Sequence, residues 1–213
     1  MSIDVSPRTR TSPAPGATAA LTGGILWAAV PAVLPVLENG VHDHTSPPAL
    51  AIAASWVVGP VALALLLRAA VALRTGSGLV PGKLGRAAAV IGAVGLAAML
   101  VGNATETTTV SLHGDQNTFG YLTFLAGFLV NVVGSLLLGI SLFGSRRDAL
   151  TRWAAVLLVG MLPLGIALLL LLGLLLPDSA AGFWAAISVP TGVAWILLGR
   201  RMAAERTPPA VAA

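Results

Sequence analysis

Histidine and carboxylate side chains are the residues of this sequence best suited to bind a metal ion. All three histidines and four of the eight carboxylates occur in two segments without lysine or arginine: residues 38–48, which also contain Glu38, and residues 103–120, which also contain Glu106. Neutral imidazoles and ionised carboxylates are common ligands of zinc and other divalent ions. If the two segments meet, the sequence predicts a divalent-metal site whose ligands would be His42, Asp43, His44, His113 and Asp115.

The same residues have a simpler interpretation, as solvated loop side chains or as a cluster that responds to pH. A catalytic metal would also need an open coordination position and a general base, and the sequence indicates neither. We therefore expect no catalytic residue and no bound cofactor, with the divalent ion as the alternative. The chain contains no cysteine, which excludes disulfides, thiolate ligands and cysteine nucleophiles.

A second polar set lies within residues 121–144, a stretch without any charged residue. As a helix this stretch would reach about 36 Å, enough to cross a hydrocarbon core of about 30 Å. Small and polar residues recur in it at every fourth position and so share one helix face, which predicts a helix interface. The members of this face are Thr123, Gly127, Asn131, Ser135 and Gly139. Asn131 would either bond to a neighbouring helix or line a small substrate cavity.

The overall composition predicts an all-α integral membrane protein. Hydrophobic residues make up 56% of the chain and charged residues 9%. A water-soluble domain could not bury so large a share of hydrophobic residues. Apolar runs predict six transmembrane helices within residues 17–201, at about 17–37, 49–67, 87–102, 121–144, 153–176 and 183–199. The first run could also be a signal peptide, but it is long and lacks a clear cleavage site, so we expect an uncleaved span. Residues 1–16 and 202–213 would be tails, the first of them disordered.

The positions of the charges predict the orientation. With six spans, all twelve Lys and Arg fall on the side that holds both termini. The opposite side has only acidic charges: Glu38, Asp43, Glu106, Asp115 and Asp178. Cytoplasmic loops are rich in Lys and Arg, so both termini should be cytoplasmic. The basic residues therefore indicate topology rather than a nucleic-acid partner.

The interior of the predicted spans contains no Asp, Glu, Lys or His. Proton-coupled transporters and intramembrane metalloproteases usually need such a residue there, so this weighs against both classes. Small residues also recur at a spacing of four in the first span, at Ala20, Gly24, Ala28 and Ala32. In a chain this rich in alanine, we expect that repeat to arise by chance.

Four features stand out in the second half of the chain: the Gly-Ser-Arg-Arg exit at 144–147, the Arg-Trp pair at 152–153, Trp195 in the last span and the Leu-Leu-Gly-Arg run at 197–200. Together they resemble features of small multi-pass membrane proteins of unknown function in actinobacteria. The resemblance implies a bacterial plasma-membrane protein with several spans and transfers no activity.

The function expected from the sequence is non-catalytic. The protein would be either a subunit of a membrane assembly or a facilitator of small apolar or neutral solutes. Its partners would be the lipid bilayer and either a second copy of the chain or another membrane protein. The alternative is a membrane-embedded enzyme or sensor that uses the histidine and carboxylate site outside the membrane.

Overall fold

The computed structural model describes residues 15–42, 49–76, 79–80, 82–113, 117–144, 148–175 and 181–205. Within these ranges the protein is all-α, with seven helices and no strand. The helices are α1 (Pro15–His42), α2 (Ala49–Gly76), α3 (Gly82–His113), α4 (Thr118–Phe143), α5 (Ala149–Val159), α6 (Met161–Leu175) and α7 (Ala181–Ala204). Most of both predicted tails lies outside the described ranges.

Two helices continue past the apolar segments that hydropathy predicts. Helix α1 ends at His42 rather than near residue 37, and α3 ends at His113 rather than near residue 102. Three threonine hydroxyls of α3 donate to carbonyl oxygens four residues earlier: Thr105 to Val101 (2.8 Å), Thr108 to Ala104 (2.7 Å) and Thr109 to Thr105 (2.9 Å). These hydroxyls are thus satisfied by their own helix, so the polar side chains are compatible with its continuation.

Asn117 joins the end of α3 to the start of α4. Its Oδ1 accepts from the backbone N–H groups of Phe119 (3.0 Å) and Gly120 (3.1 Å), which fixes the first turn of α4. Its Nδ2 donates to Thr109 Oγ1 of α3 at 2.9 Å. The Asn117 side chain therefore links α3 to α4 by hydrogen bonds. Helix α4 begins three residues before the predicted span at residue 121.

Helices α3 and α4 pack with their backbones in contact. A Cβ atom added to Gly95, Gly127 or Gly134 would lie within 3 Å of backbone atoms in the other helix. Residues 120, 127 and 134 of α4 are all glycines, and this seven-residue spacing keeps them on one face. The two helices therefore have room for each other only because side chains are missing there.

The segment predicted as one span at 153–176 is two helices, α5 and α6, bent by 67° at Gly160. Asp148 caps the start of α5, where its carboxylate accepts from Thr151 N at 3.0 Å. Pro163 has no N–H for the carbonyl of Val159, and its ring would clash with that carbonyl in a continuous helix. The proline thus explains why the axis breaks one turn before it.

Six helices form a closed ring in which α1, α2, α3, α4, α5 and α7 each contact the next and α7 contacts α1. Helix α6 lies outside this ring and packs mainly on α7. Only Met161 and Gly165 of α6 are buried, and the rest of the helix exposes leucine and isoleucine. The largest fully buried residues belong to the ring helices or to the link before α3; among them are Leu63, Leu66, Leu73, Leu79, Leu96, Met99, Leu142, Leu158 and Leu198.

Four helices in the described ranges are long and apolar enough to cross a membrane. They lie in α2, α3, α4 and α7, and the bent pair α5 and α6 makes a fifth if it counts as one span. The apolar part of α1 described with side chains, Gly16–Ala32, is shorter. This architecture is consistent with a multi-pass membrane protein.

Candidate functional site

The proposed metal ligands lie outside the part of the chain whose side chains are described. Asp43, His44 and Asp115 fall in gaps between the helices, and His42 and His113 are the last residues of α1 and α3. Among the described residues, no three His, Asp or Glu side chains come together as a metal site. The site at His42, Asp43, His44, His113 and Asp115 stays a prediction.

The predicted interface on α4 contacts two different helices. Thr123 is half-buried, and the other four members are buried. Gly127 lies against Met99 and Gly95 of α3, whereas Gly139 lies against Leu158 and Val159 of α5. A four-residue step turns about 40° beyond a full helical turn, so a row with this spacing winds from one neighbour to the next.

Sequence reasoning missed the second row of small residues on α4. Gly120, Gly127 and Gly134 recur every seven residues and all lie against α3. Seven residues are close to two turns of helix, so the row stays on one neighbour. The signal was present in the sequence, because α3 has matching glycines at positions 85, 92, 95 and 102.

The small residues of the first span also form a real contact, contrary to the expectation of chance. A Cβ on Gly24 would lie 2.7 Å from the carbonyl oxygen of Gly192 in α7, and a Cβ on Gly192 would lie 2.9 Å from Ala28. Gly199 likewise lies against Leu21. The first and seventh helices therefore approach at backbone distance, which closes the ring.

One face of α7 has a row of polar and aromatic side chains. Trp184, Ser188, Thr191 and Trp195 share this face at spacings of three and four residues. Trp184 contacts the ring of Phe124 in α4, with centroids 5.8 Å apart. This contact joins α7 directly to α4, which α5 separates from it at the Asp148 end of the bundle.

A tryptophan and a threonine form the main side-chain hydrogen bond of the interior. Trp27 Nε1 in α1 donates to Thr191 Oγ1 at 3.1 Å, and both side chains are buried. The Thr191 hydroxyl in turn donates to the carbonyl of Ile187 at 3.0 Å. The bond links the first and seventh helices and satisfies an indole N–H that would otherwise be buried alone.

Asn131 of α4 lies at about the same depth as Thr191 of α7. Both helices run toward the end of the bundle where Asp148 lies, because Arg201 of α7 forms an ion pair with Asp148. Asn131 and Thr191 each follow the Phe124–Trp184 contact by seven residues, about 10.5 Å along the axis. The middle of the ring thus contains polar groups from three helices, which we call the mid-bundle polar layer: Trp27, Asn131, Ser188, Thr191 and Trp195.

The mid-bundle polar layer has no charge. In the part of the chain described with side chains, every buried polar residue is neutral: Asn131, Ser135, Ser141, Thr151, Ser188 and Thr191. Neutral hydroxyl, amide and indole groups can bind a molecule by hydrogen bonds, but none of them gains or loses its charge at neutral pH. The layer is therefore suited to recognition rather than to acid–base chemistry.

Charged groups meet instead at the Asp148 end of the bundle. Partial burial opposes ionisation of Asp148, but the hydrogen bonds from Thr151 and the charge and hydrogen bond of Arg201 outweigh it and lower the pKa of Asp148. Arg201 also contacts Glu205 at 3.5 Å. This cluster fixes the end of α7 to the start of α5.

The fold and its interior define the class: an all-α protein with four to five helices able to cross a membrane and an uncharged polar layer at mid-bundle. Comparison with protein-family models, curated proteins and solved structures finds no match to this chain.

Proposed function

We propose that this protein is a non-catalytic, six-span protein of a bacterial cytoplasmic membrane that facilitates the passage of small neutral solutes. Both termini would be cytoplasmic. The observation that supports this most is the mid-bundle polar layer, in which polar side chains lie deep in an apolar bundle without any buried charge among the described residues. Small neutral solutes need hydrogen-bonding groups in the membrane interior but no counter-ion.

The six-span topology is supported by helix number and by charge. Helix α1 and the bent pair α5 and α6 would each add one span to the four unbroken candidates. Six spans put all twelve Lys and Arg on one side of the membrane. That distribution favours a cytoplasmic location for both termini.

Solute flux into liposomes tests the proposed function. Vesicles containing the purified protein are mixed with hyperosmotic glycerol or urea, and their swelling is followed by light scattering. We expect faster swelling than in protein-free vesicles, and equal rates would overturn the facilitator role. Asn131→Leu should slow the flux, because it removes a polar group from the layer.

A triple variant separates this proposal from the enzyme or sensor alternative. Changing His42, His44 and His113 to alanine should leave solute flux unchanged, since these residues lie outside the mid-bundle polar layer. Metal content is measured on the same samples by mass spectrometry. About one bound transition-metal ion in the parent protein, lost together with flux in the variant, would favour the metal site instead.

A further inference from the structure

Three polar atoms of the mid-bundle polar layer have no hydrogen-bond partner among the described residues. They are Asn131 Oδ1, Ser188 Oγ and Trp195 Nε1. Their residues are 6%, 0% and 4% exposed, so solvent around the bundle does not reach them. An unpaired buried polar group costs roughly 1–3 kcal/mol. Three such groups in one layer call for a partner molecule inside the ring.

Beside Asn131 the structure leaves space for at least one added carbon atom. Gly92 of α3 is buried, yet a Cβ added to it would meet only Asn131 Oδ1, at 3.8 Å, among the described residues. By contrast, a Cβ on Gly95, one turn further along, would strike the backbone of Asn131. Gly134 of α4 packs against the backbone of Gly92, but the direction of the Gly92 Cβ, toward the unpaired oxygen, is open.

The types of the three atoms restrict the chemistry of the guest. Asn131 Oδ1 accepts a hydrogen bond, Trp195 Nε1 donates one, and the Ser188 hydroxyl can do both. Ser188 and Trp195 are seven residues apart, about 10.5 Å along α7, so a guest with several hydroxyls satisfies more of these atoms than one with a single hydroxyl. A charged guest would lose its hydration without meeting a buried counter-charge.

We propose that the mid-bundle polar layer is a binding site for a small neutral polyol, which donates a hydrogen bond to Asn131 Oδ1 in the space beside Gly92. The site rests on the proposed function, since it would be the point at which the solute pauses on its way through the ring. The polyol accepts a hydrogen bond from Trp195 Nε1 and forms another, as donor or acceptor, with Ser188 Oγ.

Binding can be measured directly through the indole N–H signals of the purified protein in detergent. The chain has five tryptophans, and the Trp195→Phe variant identifies the signal of Trp195 in a ¹⁵N–¹H spectrum. Glycerol is the probe. We expect a saturable shift of the Trp195 signal, with binding weakened about tenfold or more in Asn131→Leu, which lacks the hydrogen-bonding amide.

Gly92→Ala is the sharper variant, because its methyl group fills the space beside Asn131 Oδ1 without meeting other atoms. It should fold normally, since alanine favours helix over glycine, and it should abolish the glycerol shift. Gly173→Ala is the matched control: Gly173 lies on α6, and its added Cβ meets nothing within 4 Å. This control should bind glycerol like the parent protein.

Several results would overturn the site. One is a Trp195 signal that glycerol does not move, and another is an equal shift in the parent protein and in Gly92→Ala. Cross-relaxation between water and the Trp195 indole N–H is a further test. If glycerol leaves this signal unchanged, water alone occupies the layer. Glycerol binding without glycerol flux would overturn the facilitator role but support the binding site. Glycerol flux without glycerol binding would overturn the binding site but support the facilitator role.

Discussion

Thr191 shows what one residue contributes to this ring. It is the acceptor for Trp27 Nε1, at a sequence separation of 164 residues. No pattern in the sequence indicates this pair, because a hydrogen bond between distant helices leaves no local spacing to recognise. Asn131 differs from Thr191 in this respect, since an amide within an uncharged apolar run is conspicuous from the order of the residues alone.

Thr191→Val should destabilise the protein by about 1–3 kcal/mol. Valine has nearly the same shape, so the packing is kept while the indole N–H of Trp27 loses its acceptor. Unfolding in a mild detergent with increasing denaturant measures the change. In a Trp27→Phe background, which has no N–H to satisfy, the same substitution should cost much less, and an equal cost would show that the hydrogen bond contributes nothing.

Asp148 gives the stability of the bundle a dependence on pH. Because its pKa is lowered in the folded protein, the ionised form favours folding. This contribution is complete above the ordinary aspartate pKa of 3.8 and is lost as the pH falls through the lower folded value. The unfolding temperature of the parent protein should therefore fall more steeply below about pH 4 than that of Asp148→Asn. Parallel curves would contradict the assignment.

At the scale of elements, hydropathy predicted where apolar helices lie but not where they end or bend. Helix α3 continues through a threonine-rich segment in which three hydroxyls bond to carbonyls of the same helix, and no hydropathy value reports that. Pro163 is a helix breaker that can be recognised in the fifth predicted span, but the sequence does not give the 67° angle between α5 and α6. Sequence patterns thus detect a helix breaker more easily than the geometry it produces.

The glycine contact between α3 and α4 should be sensitive to a single methyl group. Gly127→Ala would place a Cβ within 3 Å of the backbone of Met99 and force the helices apart. We expect a loss of about 1–3 kcal/mol, as for other overpacked sites. Gly173→Ala, on the exposed side of α6, serves as control; its denaturant midpoint should stay the same or rise, because alanine favours helix over glycine and the added methyl group meets no other atom. Equal midpoints for the two variants would show that the contact tolerates separation.

At the scale of the whole molecule, the sequence predicted an all-α protein, and the seven helices confirm this class. The number of spans and the sides of the termini stay predictions. Closure of the ring through α1 and α7 was missed because its small residues resembled the general alanine background. Gly24 differs from the other small residues of this row by its contact with Gly192, and the sequence does not show that contact.

Single-cysteine variants test the topology, because the parent chain contains no cysteine that could be labelled in addition. In intact cells, a membrane-impermeant maleimide should label Thr45→Cys and Ser179→Cys, which six spans put outside. Ser6→Cys, in the amino-terminal tail, should react only after the cells are opened. Labelling of Ser6→Cys in intact cells would reverse the orientation, and labelling of only one of the outer positions would change the number of spans.

The contact between α1 and α7 also imposes an order on biosynthesis. The face of α1 around Gly24 has no partner until the ribosome has translated Gly192 and the seventh helix has entered the membrane. At translation rates of about 5–20 residues per second, this takes roughly 10–30 s. During that time a tightly matched helix surface is open to lipids, to the insertion machinery or to helices of other nascent proteins. The nascent chain should therefore be most prone to misassembly before its seventh helix is made.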